Sequence, residues 1–314
     1  MTGYAVRRLG LALITFVLAT SSAFFILNVL PGDVAQRALG DFATPERVAA
    51  LRHDTGLDHP LWHRYLSWLW NLSHFDLGHS FFNRDRAVSE EVRTALPVTL
   101  ELAILALIIS TVIAIPMGVL SAVYPGSAID FIVRPLSIVG LALPSFWVGL
   151  LVLLLPSLWW NYSPPQFKDI WDDPLTNLKL MTPAACVLGL AVAASTSRLV
   201  RATMLEVVRE DYVRTARAKG LAQRTVVIRH ALRNAMLPVI TLVSLQFAGL
   251  LGGAIIIEGI FGIPGIGTMA LRAISQRDYA LVEGFVVVNV IVYTLVNLAV
   301  DLMAPVVDPR IRLA

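Results

Sequence analysis

The sequence predicts an all-α polytopic membrane protein with six transmembrane helices. Three observations predict it. Hydrophobic residues make up 56% of the 314 residues and charged residues only 15%, whereas soluble domains carry about 25% charged residues. Six stretches are long and apolar enough to cross a hydrocarbon core, which takes about 20 helical residues. Those stretches show no period-two alternation, and lipid offers no partner for open backbone groups, so helices are the expected element. The mean hydropathy of +0.70 agrees. A chain this apolar is not disordered. A single cysteine, Cys186, excludes a disulfide scaffold and a cysteine-based zinc site.

The first span runs from about Leu9 to Leu30. Arg7 and Arg8 precede it, as in a signal peptide. Its apolar run exceeds the roughly 7–15 residues of such a peptide, so it reads as a retained helix. The second span runs from about Pro97 to Val123, the third from Leu136 to Leu155 and the fourth from Met181 to Val200. The fourth is the weakest, because Ser195, Thr196 and Ser197 make its far end polar. The fifth runs from about Met236 to Ile257 and the sixth from Ala280 to Ala304. Pro116, Pro144 and Pro183 are expected to bend their spans by removing a hydrogen bond. Gly249, Gly252 and Gly253 are expected to let another helix approach closely. Cys186 reads as packing, and Trp159, Trp160 and Trp171 as an aromatic belt.

The chain therefore divides into the first helix (1–30), a cap outside the membrane (31–96) and a core of five further helices (97–314). The cap holds five of the six histidines. His59 and His63 stand at i, i+4 spacing, which allows a metal pair or a solvated helix face. Trp62, Tyr65, Leu66 and Leu69 fall on one helical stripe, read as cap core or interfacial anchor.

The segment 198–235 between spans four and five is the most informative. From Arg198 to Arg233 it holds nine basic and three acidic residues. Small residues Ala216, Ala218 and Gly220 end a helical run, and Gly220 is a natural helix stop preceded by Lys219. A second short run from about Gln223 to Asn234 follows, so two short helices should meet at a glycine corner. Positive-inside bias or anionic lipid could account for the charge alone. With the N-terminus in the cytoplasm, inside segments carry 14 Lys and Arg against 4 in the short outside loops. That bias sets both termini and the corner in the cytoplasm.

The order of residues adds a resemblance. Asp211-Tyr-Val-Arg-Thr-Ala-Arg-Ala-Lys-Gly220, followed by Arg229-His-Ala-Leu-Arg-Asn-Ala-Met-Leu-Pro238, resembles the cytoplasmic coupling loop of ABC importer permeases of the dipeptide/oligopeptide/nickel family. Pro31-Gly-Asp33, Gly56-Leu-Asp58, Asp76-Leu-Gly78, Leu96-Pro-Val-Thr-Leu-Glu101, Glu258-Gly-Ile-Phe-Gly-Ile-Pro-Gly-Ile-Gly267, Arg277-Asp-Tyr279 and Asp308-Pro-Arg310 agree with that family. The general permease motif E-A-A-x-x-x-G-x9-I-x-L-P is matched only at Ala216, Gly220 and Leu232. The di-/oligopeptide subfamily departs from it in the same way.

The resemblance implies a type I, MetI-like importer permease fold in a bacterial inner membrane. It implies a second homologous permease, two cytoplasmic ATPases and an extracytoplasmic substrate-binding protein as partners, with membrane lipid around the chain and no nucleic acid. It also implies that Asp211, Tyr212, Arg214, Thr215, Ala216, Arg217, Ala218, Lys219, Gly220, His230 and Leu232 seat an ATPase.

No cofactor and no metal is expected on this chain. It has no G-x-x-x-x-G-K-[ST] and no Gly-Lys pair, so ATP and Mg²⁺ belong to the partner ATPases. No catalytic residue is expected, since neither H-E-x-x-H nor G-x-S-x-G is present. Glu258, Glu101 and Glu283 lie near span ends. Acids there line a path or gate, or pair between helices at the interface. An ion-coupled carrier acting alone is the alternative class. Such carriers tend to show internal repeats and polar sites at mid-membrane, and this sequence shows neither strongly.

Overall fold

A computed structural model of the chain describes residues 2–29, 34–80, 87–276 and 278–307. Among them the helices are α1 (Thr2–Val29), α2 (Val34–Leu39), α3 (Pro45–Asp54), α4 (Leu61–Ser73), α5 (Val88–Val123), α6 (Ala128–Ala142) and α7 (Ser145–Trp160). They continue with α8 (Pro174–Val207), α9 (Asp211–Ala218), α10 (Gln223–Thr225), α11 (Arg233–Phe261), α12 (Ile266–Gln276) and α13 (Tyr279–Val307). A π-helical stretch, Val226–Leu232, joins α10 to α11. The described residues form no strand; His79 and Ala87 make an isolated bridge. Pro31-Gly-Asp33, Asp308-Pro-Arg310 and Arg277 lie outside the described residues.

Five helices are apolar and long enough to cross a membrane, or six if the bent pair α6 and α7 counts as one span. That pair is where the third span departs from the expected single helix. The two halves meet at 100°. Leu143, between them, is extended at φ −81°, ψ 126°. A residue before proline is pushed out of the α region, and Pro144 imposes that here. Pro116, Pro183 and Pro238 lie within α5, α8 and α11.

The chain forms two compact units. The larger centres on Leu100–Ile263. Its middle is α8, the span that reads weakest in sequence. Half of its most apolar window is buried, against 11% for α1. Low hydropathy and centrality have one cause: α8 faces protein, so its polar groups find partners. The Thr196 hydroxyl donates to Gln246 Oε1 at 2.9 Å, and Gln246 Nε2 donates to Ser195 at 2.5 Å. The Ser137 and Ser197 hydroxyls lie 3.0 Å apart. Asp173 caps α8, accepting from the Thr176 amide at 3.1 Å and its hydroxyl at 2.6 Å. Those bonds hold its carboxyl below the usual carboxylate range.

Close helix approach occurs at Gly253, one of the three expected glycines, and more tightly at two others. A Cβ at Gly249 or Gly252 would meet nothing within 4 Å, and one at Gly253 only Leu188, at 3.2 Å. A Cβ at Gly118 would lie 2.7 Å from the Ser197 carbonyl, and one at Gly189 2.8 Å from that of Ala106. Backbone thus touches backbone between α5 and α8. Cys186, expected as packing, is exposed: it lies on a face of α8 turned away from the helices that cover the rest.

The smaller unit combines Val6–Thr99 with Pro264–Leu295. Its core gathers Val88, Val92, Ile266, Ala273 and Phe285. Here α4 lies against α1. The Tyr65 and Trp68 rings stand 5.4 and 5.2 Å from Phe24. The expected stripe of α4 does not pack as one face. Tyr65 packs inward, while Trp62 is 64% and Leu66 55% exposed. The inward face is that of Arg64, Tyr65 and Trp68, because Phe24 and Asn28 of α1 receive those three. The His59 and His63 rings are 4.8 Å apart.

Candidate coupling elbow

The segment after α8 folds as an elbow. α8 ends at Val207, three residues bend, and α9 begins at Asp211. Val213 and Ala216 turn inward and form a small apolar core with Val226, flanked by Val207. This core ties α9 to the end of α8 and to the π-helical stretch. Gly220 then reverses the chain at φ +77°, a left-handed conformation that glycine adopts at no steric cost. Its amide donates to the Arg217 carbonyl at 2.9 Å, and that of Lys219 to the Thr215 carbonyl at 3.0 Å.

The expected second short helix is not separate. Gln223–Thr225 and Val226–Leu232 run directly into α11, so the elbow is continuous with a long helix on its far side. A π-helical stretch spreads the backbone ladder by one residue and is commonly used at functional sites. Here it turns Val226, Val227 and Ala231 inward while Ile228 stays 51% exposed.

The eleven expected residues divide by environment. Asp211, Arg214, Thr215, Arg217, Ala218, Lys219 and Gly220 are exposed. Asp211 and Arg214 pair at 3.5 Å, with both side chains in solvent. Tyr212 is 40% exposed, and its hydroxyl accepts from Asn234 Nδ2 at 2.7 Å. Ala216 is buried. Leu232 is half-buried against the cluster of Val200, Met204 and Ala231, and His230 is half-buried beside it. Ala216 and Leu232 thus hold the elbow together from within. The surface it presents is Arg214, Arg217, Ala218, Lys219 and Gly220, joined by the exposed apolar Leu221 and Ile228. Sequence reasoning passed over Leu221, Ile228 and Asn234. The signal for Leu221 was an apolar residue directly after the helix stop.

The three expected acids stand in different surroundings. Glu258 is fully buried in the last turns of α11. Its carbonyl accepts from the Ile263 amide at 2.9 Å and from the Gly262 amide, with Gly262 at φ +67° closing the helix. Glu101 lies beside Asn177, and its buried Oε1 has no hydrogen-bond partner among the described residues. Glu283 accepts from Asn28 Nδ2 at 2.7 Å, and Asn28 in turn accepts from Arg64. Glu258 and Glu101 belong to the larger unit and Glu283 to the smaller.

The elbow thus presents a basic, partly apolar surface at the end of α8, a long helix apolar enough to cross a membrane. Comparison with known proteins identifies the family. The model of binding-protein-dependent transport system inner membrane components matches residues 114–313, and that of their N-terminal part matches residues 1–103. The chain belongs to this family of transport components. It is 42% identical over 337 residues to the dipeptide transport system permease protein of Escherichia coli K12, covering 99% of both chains. It is 37% identical to a putative peptide transport system permease protein of Brucella abortus over 313 residues, again 99% of each. A di/tripeptide transport system permease protein of Pseudomonas aeruginosa is 37% identical over 334 residues, with the same coverage. Among solved structures, an amino acid ABC transporter crystallised with histidines matches 69% of this chain and 94% of its own, with a TM-score of 0.53 at 15% identity. That likeness is one of fold.

Proposed function

We propose that this chain is the transmembrane permease subunit of an ATP-driven importer of di- or oligopeptides. The observation that carries the reading is similarity along 99% of the chain to permeases named for peptide transport. The chain works in the bacterial inner membrane beside a second homologous permease, with both termini in the cytoplasm. Two cytoplasmic ATPases hold ATP and Mg²⁺, and an extracytoplasmic binding protein delivers the peptide.

The elbow explains how closure of the ATPases reaches the membrane helices. Its internal core of Val213, Ala216 and Val226 makes α9 rigid relative to the end of α8. A push on α9 therefore moves the helices joined to the elbow rather than folding it. Arg214, Arg217 and Lys219 set the register against the ATPase groove, since charge at an interface fixes orientation more than affinity. Ala218, Gly220 and Leu221 supply close contact. The ATPase state that grips the elbow more tightly sets the conformational bias of the permease. Glu258, buried at the end of α11, is the acid placed best to respond when α11 moves.

The test is co-purification of the chain with a second permease and two ATPases, followed by uptake into proteoliposomes of a labelled dipeptide presented by the binding protein. The reading expects a stable assembly and uptake that needs ATP inside the compartment bearing the elbow. Uptake by the chain alone, driven by an ion gradient, would make it a secondary carrier instead.

A further inference from the structure

Asp130 lies in the first turn of α6 and is 1% exposed. An acid in a first turn is often a helix cap, but here Ser127 does that work, its side chain accepting from the Asp130 amide at 3.4 Å. The Asp130 carboxylate is used across helices instead. Oδ1 accepts from the Ser121 hydroxyl of α5 at 2.5 Å and from Arg201 Nε of α8 at 2.9 Å. Oδ2 accepts from the Gly126 amide at 2.9 Å and from Arg201 Nη2 at 3.3 Å. Arg134, one turn on in α6, also grips both oxygens. Arg201 Nε further donates to Ser121 at 2.9 Å. A buried carboxylate needs a cation to remain ionised at tolerable cost. One cation would suffice, and the site holds two. Arg134 neutralises Asp130 within its own helix, so Arg201 is surplus to neutralisation. What Arg201 adds is the ion pair between α6 and α8.

The position of that pair gives it meaning. Arg201 stands six residues before the end of α8, and α9 follows after a three-residue bend. Around it α8 is fastened to both neighbours. Gly118 of α5 allows close contact with the Ser197 carbonyl and the Val200 side chain, Gly140 of α6 sits against Ala194, and the Ser137 and Ser197 hydroxyls meet. The end of α8 that carries the elbow is thus locked to the end of α5 and the start of α6. α6 in turn leads into the 100° bend at Leu143 and Pro144.

We propose that Asp130 and Arg201 form a clasp that passes movement of the elbow to α5 and α6, making both of them positioning residues for transport. The proposal rests on the elbow's being the seat of an ATPase. Without the clasp, α8 would still move with α9, but α5 and α6 would follow it poorly. ATP would be hydrolysed with little peptide moved.

The test uses the complete assembly of two permeases, two ATPases and binding protein in proteoliposomes, read as peptides moved per ATP hydrolysed. Arg201→Gln leaves Asp130 paired with Arg134 and removes the cross-helix ion pair together with the Arg201 bond to Ser121. It should recruit the ATPases normally and lower the ratio about tenfold, the scale of an ordinary coupling free energy. Arg134→Gln removes a cation from the same carboxylate but leaves the α6–α8 pair, and should keep wild-type coupling. Normal coupling in Arg201→Gln would overturn the clasp. So would equal loss in both variants, because that would make neutralisation of Asp130 the only role. If Arg201→Gln does not accumulate, Arg201→Met, which also removes the cross-helix ion pair and keeps an apolar side chain of similar length, is judged against the same two results. Loss of ATPase recruitment by Arg201→Gln would also contradict the clasp. If Gly220→Val left recruitment and coupling intact, the elbow reading would be the one to fail.

Discussion

Gly220 turns the elbow at φ +77°, with nothing within 4 Å of where a Cβ would stand. A substitution there meets backbone strain and no clash. The left-handed region costs an ordinary L-residue about 1–2 kcal/mol, and Asn less because its side chain bonds locally. Uptake per inserted chain should therefore fall in the order Gly, Asn, Ala, Val. A flat series would remove the corner from the machinery. Ala216 and Ala218 make a second comparison at this scale. Both are small and two residues apart, and sequence alone gives them one role. The structure buries Ala216 and exposes Ala218. Ala216→Leu should overpack the elbow, costing about 1–3 kcal/mol, and lower the melting temperature of the chain by itself. Ala218→Leu should leave that temperature unchanged and weaken ATPase recruitment. The same effect from both would contradict the division between inner core and presented surface.

Among elements, α8 carries the most information and was the hardest to read. Hydropathy measures fitness for lipid, and α8 is the helix that faces protein most. Its Ser195, Thr196 and Ser197 read as a weak span end, yet they bond to Gln246 and Ser137 within the helix pack. The existence of the spans was legible because length and apolarity leave few alternatives. The bend between α6 and α7 was half legible: Pro144 marked a kink, but its angle depends on packing. Gly253 was read rightly, but Gly249 and Gly252 were not, because an unpaired glycine and a contact glycine look alike in sequence. Asp130 was missed altogether, since Arg201, its partner from α8, lies 71 residues further along the chain. Contact glycines can be separated from free ones by experiment. Gly118→Leu and Gly189→Leu should lower the melting temperature by forcing α5 from α8, at about 1–3 kcal/mol each. Gly252→Ala should hold or raise it, because Ala favours helix over Gly by about 1 kcal/mol. Equal tolerance at all three positions would mean that α5 and α8 do not touch there.

For the whole molecule, the positive-inside count and the exposed elbow make one claim about sides. In a Cys186→Ser background, a cysteine replacing the 90%-exposed Trp171 should react with a membrane-impermeant reagent added outside intact cells. A cysteine replacing exposed Arg224 should react only once the membrane is opened. The reverse pattern would invert the topology. The nature of the transport component was legible in the ordered motif around Gly220, which composition alone would have left as a basic loop. The account stands on a separate ATPase driving this chain through that elbow. The most direct measurement is dipeptide uptake by proteoliposomes containing the two permeases and supplied with the binding protein, with and without the ATPases. The account predicts ATP-dependent uptake only when the ATPases are present, and its loss with Gly220→Val. Uptake that persists without the ATPases would contradict it.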